Sequence, residues 1–139
     1  MASEAWCEDR LVIVAAPNHP LAEREWLDDG TLGKADWILR ESGSGTRSVF
    51  ERAMRDRNLL PKGRMELGQH EAIKQAVRAG LGLGCLSRLS VAGELERGEL
   101  VALDSELSLR RTFSLVWHPE RYRSPLWQAF KVFLVESMP

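Results

Sequence analysis

The chain has 139 residues, 44% hydrophobic and 28% charged, which are the values of an ordinary globular domain. Nineteen basic and twenty acidic residues give a formal net charge of -1, so no sequence-wide positive field attracts nucleic acid and we do not expect this chain to bind DNA. No apolar run approaches the roughly 20 residues of a membrane helix. Residues 1–10 lack the basic region followed by an apolar region that is typical of a signal peptide. These features predict a cytoplasmic protein without a membrane segment.

The first half of the chain contains two apolar runs that predict buried strands. Leu11–Ala16 is continuously apolar and is closed by Pro17, which is typical of a central strand buried on both faces. Leu27 and Leu32 are expected to anchor a short helical segment. Trp37–Leu39 then predicts a second, shorter strand.

Two helices are predicted in the middle of the chain, with a strand over residues 64–67 between them. The first should extend from about Thr46 to Asn58 and be stopped by Pro61, with Gly80 ending the second. Their inward faces have helical spacing. These faces comprise Val49, Phe50, Ala53 and Met54 in the first helix, and Ile73, Ala76 and Val77 in the second.

The last third continues the alternation of strands and helices. Gly82–Leu86 predicts a buried strand whose glycines allow close approach of a neighbouring backbone or a ligand. A third helix should follow from Ser87 or Ser90 to Leu95, with Gly98 as its stop. Further predicted elements are strands over 100–103 and 112–117 and a terminal helix capped by Ser124, whose apolar face comprises Leu126, Trp127, Phe130, Phe133 and Leu134. The order indicates an α/β domain with a largely parallel sheet.

A polar, glycine-containing loop lies between the second strand and the first long helix. Its residues Ser42, Gly43, Ser44, Gly45 and Thr46 combine hydroxyls with the unpaired N–H groups of a helix N-terminus, a combination that can hold an anion. The alternative is that Ser44 or Thr46 only caps the helix and the glycines only turn the chain. The loop that contains His70 and Glu71 also follows a strand and opens a helix, so the two loops could face one crevice.

Other motifs do not support catalysis, a cofactor or a metal site. Gly80–Gly84 runs from helix to strand, the reverse of a dinucleotide fingerprint, and Gly45-Thr46-Arg47 lacks the lysine of a phosphate loop. The three histidines are scattered, and Cys7 and Cys85 have no metal-ligand spacing, so Cys85 is expected to be a small core residue. Arg110 and Arg111 are expected to be solvated.

Several stretches in order resemble the effector-binding domain of LysR-type bacterial transcriptional regulators, and together they cover nearly the whole chain. The stretches with this resemblance are Trp6–Ala15, His19–Ala22, Ile38–Arg47, Glu71–Gly82, Gly98–Val101 and Arg111–Phe113. The resemblance implies a type 2 periplasmic-binding-protein fold, in which two α/β lobes joined by crossing strands hold a small effector between them. The DNA-binding domain and the first part of the first lobe have no counterpart, so the chain looks like a partial effector-binding domain.

The resemblance also implies an organisation of the chain. Residues 17–111 would form the second regulatory lobe, and residues 112–139 a crossing strand and a helix that returns to the first lobe. The loop 42–46 would donate hydrogen bonds to an effector, often an anion, whereas His70 stands where small polar residues are common. The expected partners are a small anionic effector and further copies of the chain in a dimer or larger assembly, with DNA bound only through a domain outside this chain.

Two other classes of function are considered. A solute-binding protein of a transport system shares the fold and the crevice, and an upstream export signal would identify it. An enzyme would need Ser44 or Cys85 as a nucleophile, but no paired base is evident and the serine lacks the context of a nucleophile elbow. A ligand-sensing regulatory domain is therefore the preferred interpretation, and no enzyme activity is expected.

Overall fold

The computed structural model describes the backbone of residues 2–117 and the side chains of residues 9–110. The predicted terminal helix that begins at Ser124, with its aromatic face, lies outside the described residues. The chain divides into two compact units, one of residues 10–110 and one of residues 1–9 with 111–139. The larger unit contains both loops predicted to bind an effector.

Within residues 2–117, six strands and four helices follow the predicted order. The strands are β1 (Ala2–Ala15), β2 (Asp36–Arg40), β3 (Lys62–Leu67), β4 (Leu83–Ser87), β5 (Val101–Leu103) and β6 (Arg110–Trp117). The helices are α1 (Asp29–Lys34), α2 (Gly45–Arg55), α3 (His70–Arg78) and α4 (Arg88–Glu96). The strand predicted from Leu11 begins nine residues earlier, at Ala2.

The sheet is mixed, with the strand order β3-β2-β4-β1-β5, and β6 pairs with β1. Strand β2 is parallel to β3 and β4, whereas β1 is antiparallel to β4 and β5. The α/β prediction is therefore confirmed. The antiparallel pairing of β1 places the start of its apolar segment beside the carboxyl ends of β4 and β5, because Leu11 pairs with Ser87 and Ile13 with Leu103.

The core consists of two apolar layers, one on each face of the sheet. Trp37 and Leu39 of β2 face one layer, in which the rings of Trp37 and Phe50 of α2 have centroids 4.5 Å apart. Ile38, between them in sequence, faces the other layer with Ile73 of α3. This alternation follows from the two-residue period of a strand. The helix faces predicted from Phe50, Ala53 and Met54 and from Ile73, Ala76 and Val77 are buried, and Val49 is partly buried.

The end of α2 corrects one prediction. The helix ends at Arg55 rather than near Asn58, and Asn58 itself has a positive φ of 59°. The N–H groups of Asn58 and Leu59 donate to the carbonyls of Arg55 and Met54, which is a Schellman motif with asparagine at its left-handed position. Asn58 thus stops the helix before Pro61 can. Gly80 and Gly98 end α3 and α4 with positive φ angles, as predicted.

The glycines around β4 permit close contact, as predicted. A Cβ atom at Gly82 would lie 2.7 Å from the backbone oxygen of Asp36 on the adjacent strand β2. A Cβ at Gly84 would lie 3.0 Å from Val77 of α3. The atoms that approach Gly82 and Gly84 are therefore backbone and core atoms of the 10–110 unit. None of the helices within residues 2–117 has the length and apolarity to cross a membrane.

Candidate functional site at the β2–α2 and β3–α3 loops

The loop between β2 and α2 has the geometry of a capped helix N-terminus. The Ser44 hydroxyl accepts a hydrogen bond from the Arg47 N–H over 3.4 Å, so Ser44 and not Thr46 is the cap. The N–H of Ser44 donates to the carbonyl of Glu41, which closes the preceding turn. Gly43 has a φ of +95°, a conformation that few other residues adopt. The capping role considered for Ser44 is therefore present.

Capping leaves part of the loop available to a ligand. Ser44 satisfies the N–H of Arg47, whereas the N–H groups of Gly45 and Thr46, in the first turn, have no partner within the helix. Thr46 is 5% exposed, and within the part of the chain that the structure describes its hydroxyl makes no hydrogen bond. Ser42 and Gly43 are exposed. The amides of Gly45 and Thr46 therefore lie at the positive end of the α2 dipole, and the residues with hydroxyls next to them in sequence are Ser42 and Thr46.

A carboxylate of the protein already contacts this loop. The Ser42 N–H donates to Oε1 of Glu66 on β3 over 3.1 Å. Arg47 lies 3.4 Å from the same oxygen, donates to the carbonyl of Arg40 and pairs with Glu51. A cavity of about 310 Å³ beside the loop is lined by Arg47, Glu66 and their neighbours Leu39, Gly63, Arg64 and Met65. Arg47 and Glu66 join the loop to β3, a contact that the sequence pattern did not reveal.

The two loops adjoin each other, as the carboxyl ends of parallel neighbours must. A Cβ on Gly68, in the β3–α3 loop, would lie 3.6 Å from Oε2 of Glu41 at the start of the first loop. The Arg40 hydrogen bond lowers the pKa of Glu41, and the nearby His70 charge lowers it further. His70 is the first residue of α3 and is partly buried. The structure thus brings His70 towards the first loop.

Glu71 has a different environment from the other predicted residues. Its carboxylate is exposed and pairs with Lys74 one turn along α3, with 2.8 Å between Oε1 and Nζ. Lys74 is buried and also pairs with Glu94 of α4 at 2.9 Å. Sequence reasoning missed Lys74, although the three-residue spacing from Glu71 suggests a helical ion pair. The partner on α4 is twenty residues away and has no local signal.

Other chemically notable side chains lie apart from the loops. Cys85 is buried in the core layer that contains Trp37, as predicted. His19 is partly buried and accepts a hydrogen bond from the Leu21 N–H. Burial lowers the pKa of His19. Among the residues with described side chains, no group of His, Cys, Asp and Glu is arranged to hold a metal ion.

The model of the LysR substrate binding domain matches residues 1–139. The chain belongs to this family. It is 38% identical over 136 residues to a RuBisCO operon transcriptional regulator of Allochromatium vinosum, covering 97% of the chain and 45% of that protein. It is 44% identical over 131 residues to the HTH-type transcriptional regulator YeiE of Escherichia coli K12, covering 92% of the chain and 44% of YeiE. The chain thus spans a little under half the length of these relatives.

A solved structure has the same fold. The regulatory domain of Synechocystis PCC6803 CcmR, determined in complex with 2-PG, aligns with a TM-score of 0.86 and 30% identity, covering 97% of this chain and 65% of that one. The sequence resemblance to LysR-type effector-binding domains and its periplasmic-binding-protein-like architecture are therefore confirmed.

Proposed function

We propose that this chain is the ligand-sensing part of a LysR-type transcriptional regulator and that its effector is a small anion bound at loop 42–46. The observation that carries the proposal is the donor set of that loop. The amides of Gly45 and Thr46 and the hydroxyl of Thr46 converge at the positive end of a helix and are not used by the described fold. Ser42, Gly43, Ser44 and His70 would complete this side of the site.

The loop's behaviour towards Glu66 supports an anionic ligand. Its Ser42 amide already donates to that carboxylate, which is 56% exposed and therefore displaceable. A bound anionic effector would replace the Glu66 carboxylate as the acceptor of the Ser42 N–H. Glu71, held by Lys74, would contribute through the position of α3 rather than by direct contact. The CcmR regulatory domain, which was solved with 2-PG, supports a small-molecule effector in this fold.

The similarity to longer regulators also suggests a role for the parent protein, by which we mean the longer regulator that would contain this chain. The matched relatives are transcriptional regulators rather than enzymes or transport proteins, so we favour a regulator over a solute-binding protein. In this proposal DNA is bound by a separate part of the parent, which acts as an oligomer in the cytoplasm. No catalytic step is assigned to the chain.

A thermal-shift screen of organic acids and of sulfur and nitrogen oxyanions on the parent regulator tests the proposal. We expect one group of related anions to raise the melting temperature in a saturable way. The best ligand is then measured by calorimetry on Ser42→Ala, with Ser48→Ala, an exposed serine of α2, as the matched control. Weakening by Ser42→Ala alone supports the site, and equal affinities exclude the Ser42 hydroxyl from it.

A further inference from the structure

A second cavity in the 10–110 unit has no lining residue in common with the two loops. It has a volume of about 250 Å³ and lies at the carboxyl end of β5, beside the start of the apolar segment of β1. A space of that size is much larger than a single water molecule needs, so it can admit a small organic or inorganic ion. Three arginines line it: Arg10, Arg88 and Arg110.

These three arginines are exposed, and their environment differs from that of five other arginines in the described chain. Arg40, Arg47, Arg57, Arg64 and Arg97 all pair with carboxylates. Within the described residues, the guanidinium groups of Arg10, Arg88 and Arg110 make no ion pair or hydrogen bond. Among the described lining residues there is one carboxylate, that of Asp104, so three positive charges against one negative leave these residues with a formal charge of +2. A cleft of one sign concentrates counter-ions.

The wall of the cavity is held in place although it has no regular secondary structure. The segment between β5 and β6 is attached to the rest of the unit near each end and is braced once within itself. The Asp104 carbonyl accepts from the Leu27 N–H at 2.8 Å, the Ser105 hydroxyl from the Leu107 N–H at 3.2 Å, and the Leu109 carbonyl from the Leu11 N–H at 2.7 Å. A segment pinned in this way forms a pre-organised wall, which reduces the entropic cost of binding.

The lining also includes apolar residues that are almost completely buried. Leu11 and Ile13 of β1 are each 1% exposed, and Leu107 is 8% exposed. Guanidinium groups match the paired oxygens of phosphates and carboxylates through two parallel hydrogen bonds.

We propose that the cavity around Arg10, Arg88 and Arg110 binds a small oxyanion that carries two negative charges, a phosphate group or a dicarboxylate. This site shares no lining residue with loop 42–46 or with the loop that contains His70. An anion here would lie against β1, β5 and the N-terminus of α4 together. It would add a contact among elements that the sheet already joins, since β1 pairs with β5 and Leu11 pairs with Ser87, directly before α4.

The test is an NMR titration of the isotope-labelled 139-residue chain with inorganic phosphate, and in a second arm with succinate, at constant ionic strength. We expect saturable shifts at the amides of residues 103–110 in at least one arm, and the stronger arm distinguishes a phosphoryl from a dicarboxylate ligand. Arg10→Gln and Arg88→Gln should each weaken binding about tenfold, since each removes a charged hydrogen-bond donor. Arg55→Gln, on the exposed side of α2, is the matched control and should bind like the wild type.

Two further variants distinguish guanidinium recognition from simple charge attraction, and the arginine cavity from the proposed effector loop. Arg88→Lys keeps the charge without the paired donors and should bind with an affinity between those of Arg88→Gln and the wild type. Thr46→Val should leave these shifts unchanged, so this site and the proposed effector loop can fail separately. Absence of saturable shifts in both arms, shifts confined to residues 42–46, or equal affinity for Arg10→Gln, Arg88→Gln and the wild type would each overturn the proposal. Circular dichroism of every variant verifies its fold.

Discussion

Lys74 is expected to be the charged residue on which stability depends most. Its side chain is 8% exposed and joins Glu71 of α3 to Glu94 of α4, and the Glu94 side chain is 13% exposed. Burial by itself would lower the pKa of Lys74, but the hydrogen bonds to the two carboxylates outweigh burial and raise it. Hydrogen bonding from Lys74 lowers the pKa of Glu94. The ammonium and the Glu94 carboxylate therefore stabilise each other in the folded state.

Replacing Lys74 with Met keeps most of the side-chain volume and leaves Glu94 without its close cation. Breaking a fully buried ion pair costs about 3–5 kcal/mol, and the partial exposure of Glu94 places our expectation at about 2–3 kcal/mol. Glu71 contributes little to this cost because its side chain is 74% exposed. The free energy of unfolding, measured by urea denaturation at pH 7, should fall by that amount. Arg64→Gln, which removes an exposed pair with Asp36, should leave the urea midpoint unchanged.

The double variant Lys74→Met/Glu94→Gln and the pH dependence test the mechanism. With both charges removed, most of the lost stability should return. The folded pKa of Glu94 is depressed, so its stabilisation is present above the ordinary glutamate value of 4.5 and is lost as the pH falls through the lowered value. The difference between wild type and Lys74→Met should therefore shrink in acid. A loss below 0.5 kcal/mol at pH 7, or a double variant no more stable than the single one, would refute the ion-pair explanation.

Three further predictions concern the cap, the sheet and assembly. Ser44→Ala should lower the free energy of unfolding by about 1 kcal/mol, because it removes the α2 cap, whereas Ser48→Ala should not; equal urea midpoints would contradict this. Gly82→Ala should lower the free energy of unfolding by about 1–3 kcal/mol, because the new Cβ meets the Asp36 carbonyl. Gly30→Ala, whose Cβ would make ordinary contacts, should be tolerated, and equal melting temperatures of the two variants would be evidence against the clash. Through the apolar face predicted from Ser124 onward, the chain should self-associate, and a purely monomeric species in analytical ultracentrifugation would refute that prediction.

Much of the fold could be predicted because its signals are local. The continuous apolar run Leu11–Ala16 and the helical spacing of Phe50, Ala53 and Met54 require only neighbouring residues to be read. Gly80 and Gly98 were recognisable as helix stops for the same reason. Asn58 was missed because asparagine only sometimes adopts a positive φ, and Pro61 offered a more familiar stop.

The remaining features depend on contacts between residues distant in sequence. Lys74 on the inner side of α3 breaks the apolar pattern, and only the fold supplies Glu94 as its partner. Glu66 meets Ser42 across 24 residues, and nothing near either residue indicates the contact. The antiparallel pairing of β1 likewise depends on the topology of the sheet. The candidate loop and its hydrogen-bond donors could be identified from the sequence. Only the structure shows which groups of the loop already bind other residues of the protein.

Effector affinity of Thr46→Val in the parent regulator tests the central claim most directly. The substitution keeps the side-chain shape and removes one hydroxyl, and Ser44 still caps α2, so the melting temperature without ligand should hardly change. Loss of a hydrogen bond to a charged ligand costs about 1.5–3 kcal/mol, which corresponds to a roughly 10- to 150-fold higher Kd. The Kd is measured by calorimetry with the best anion of the screen. That weakening at unchanged stability is the predicted result, and a Kd equal to the wild-type value would contradict the assignment of loop 42–46 as the anion site.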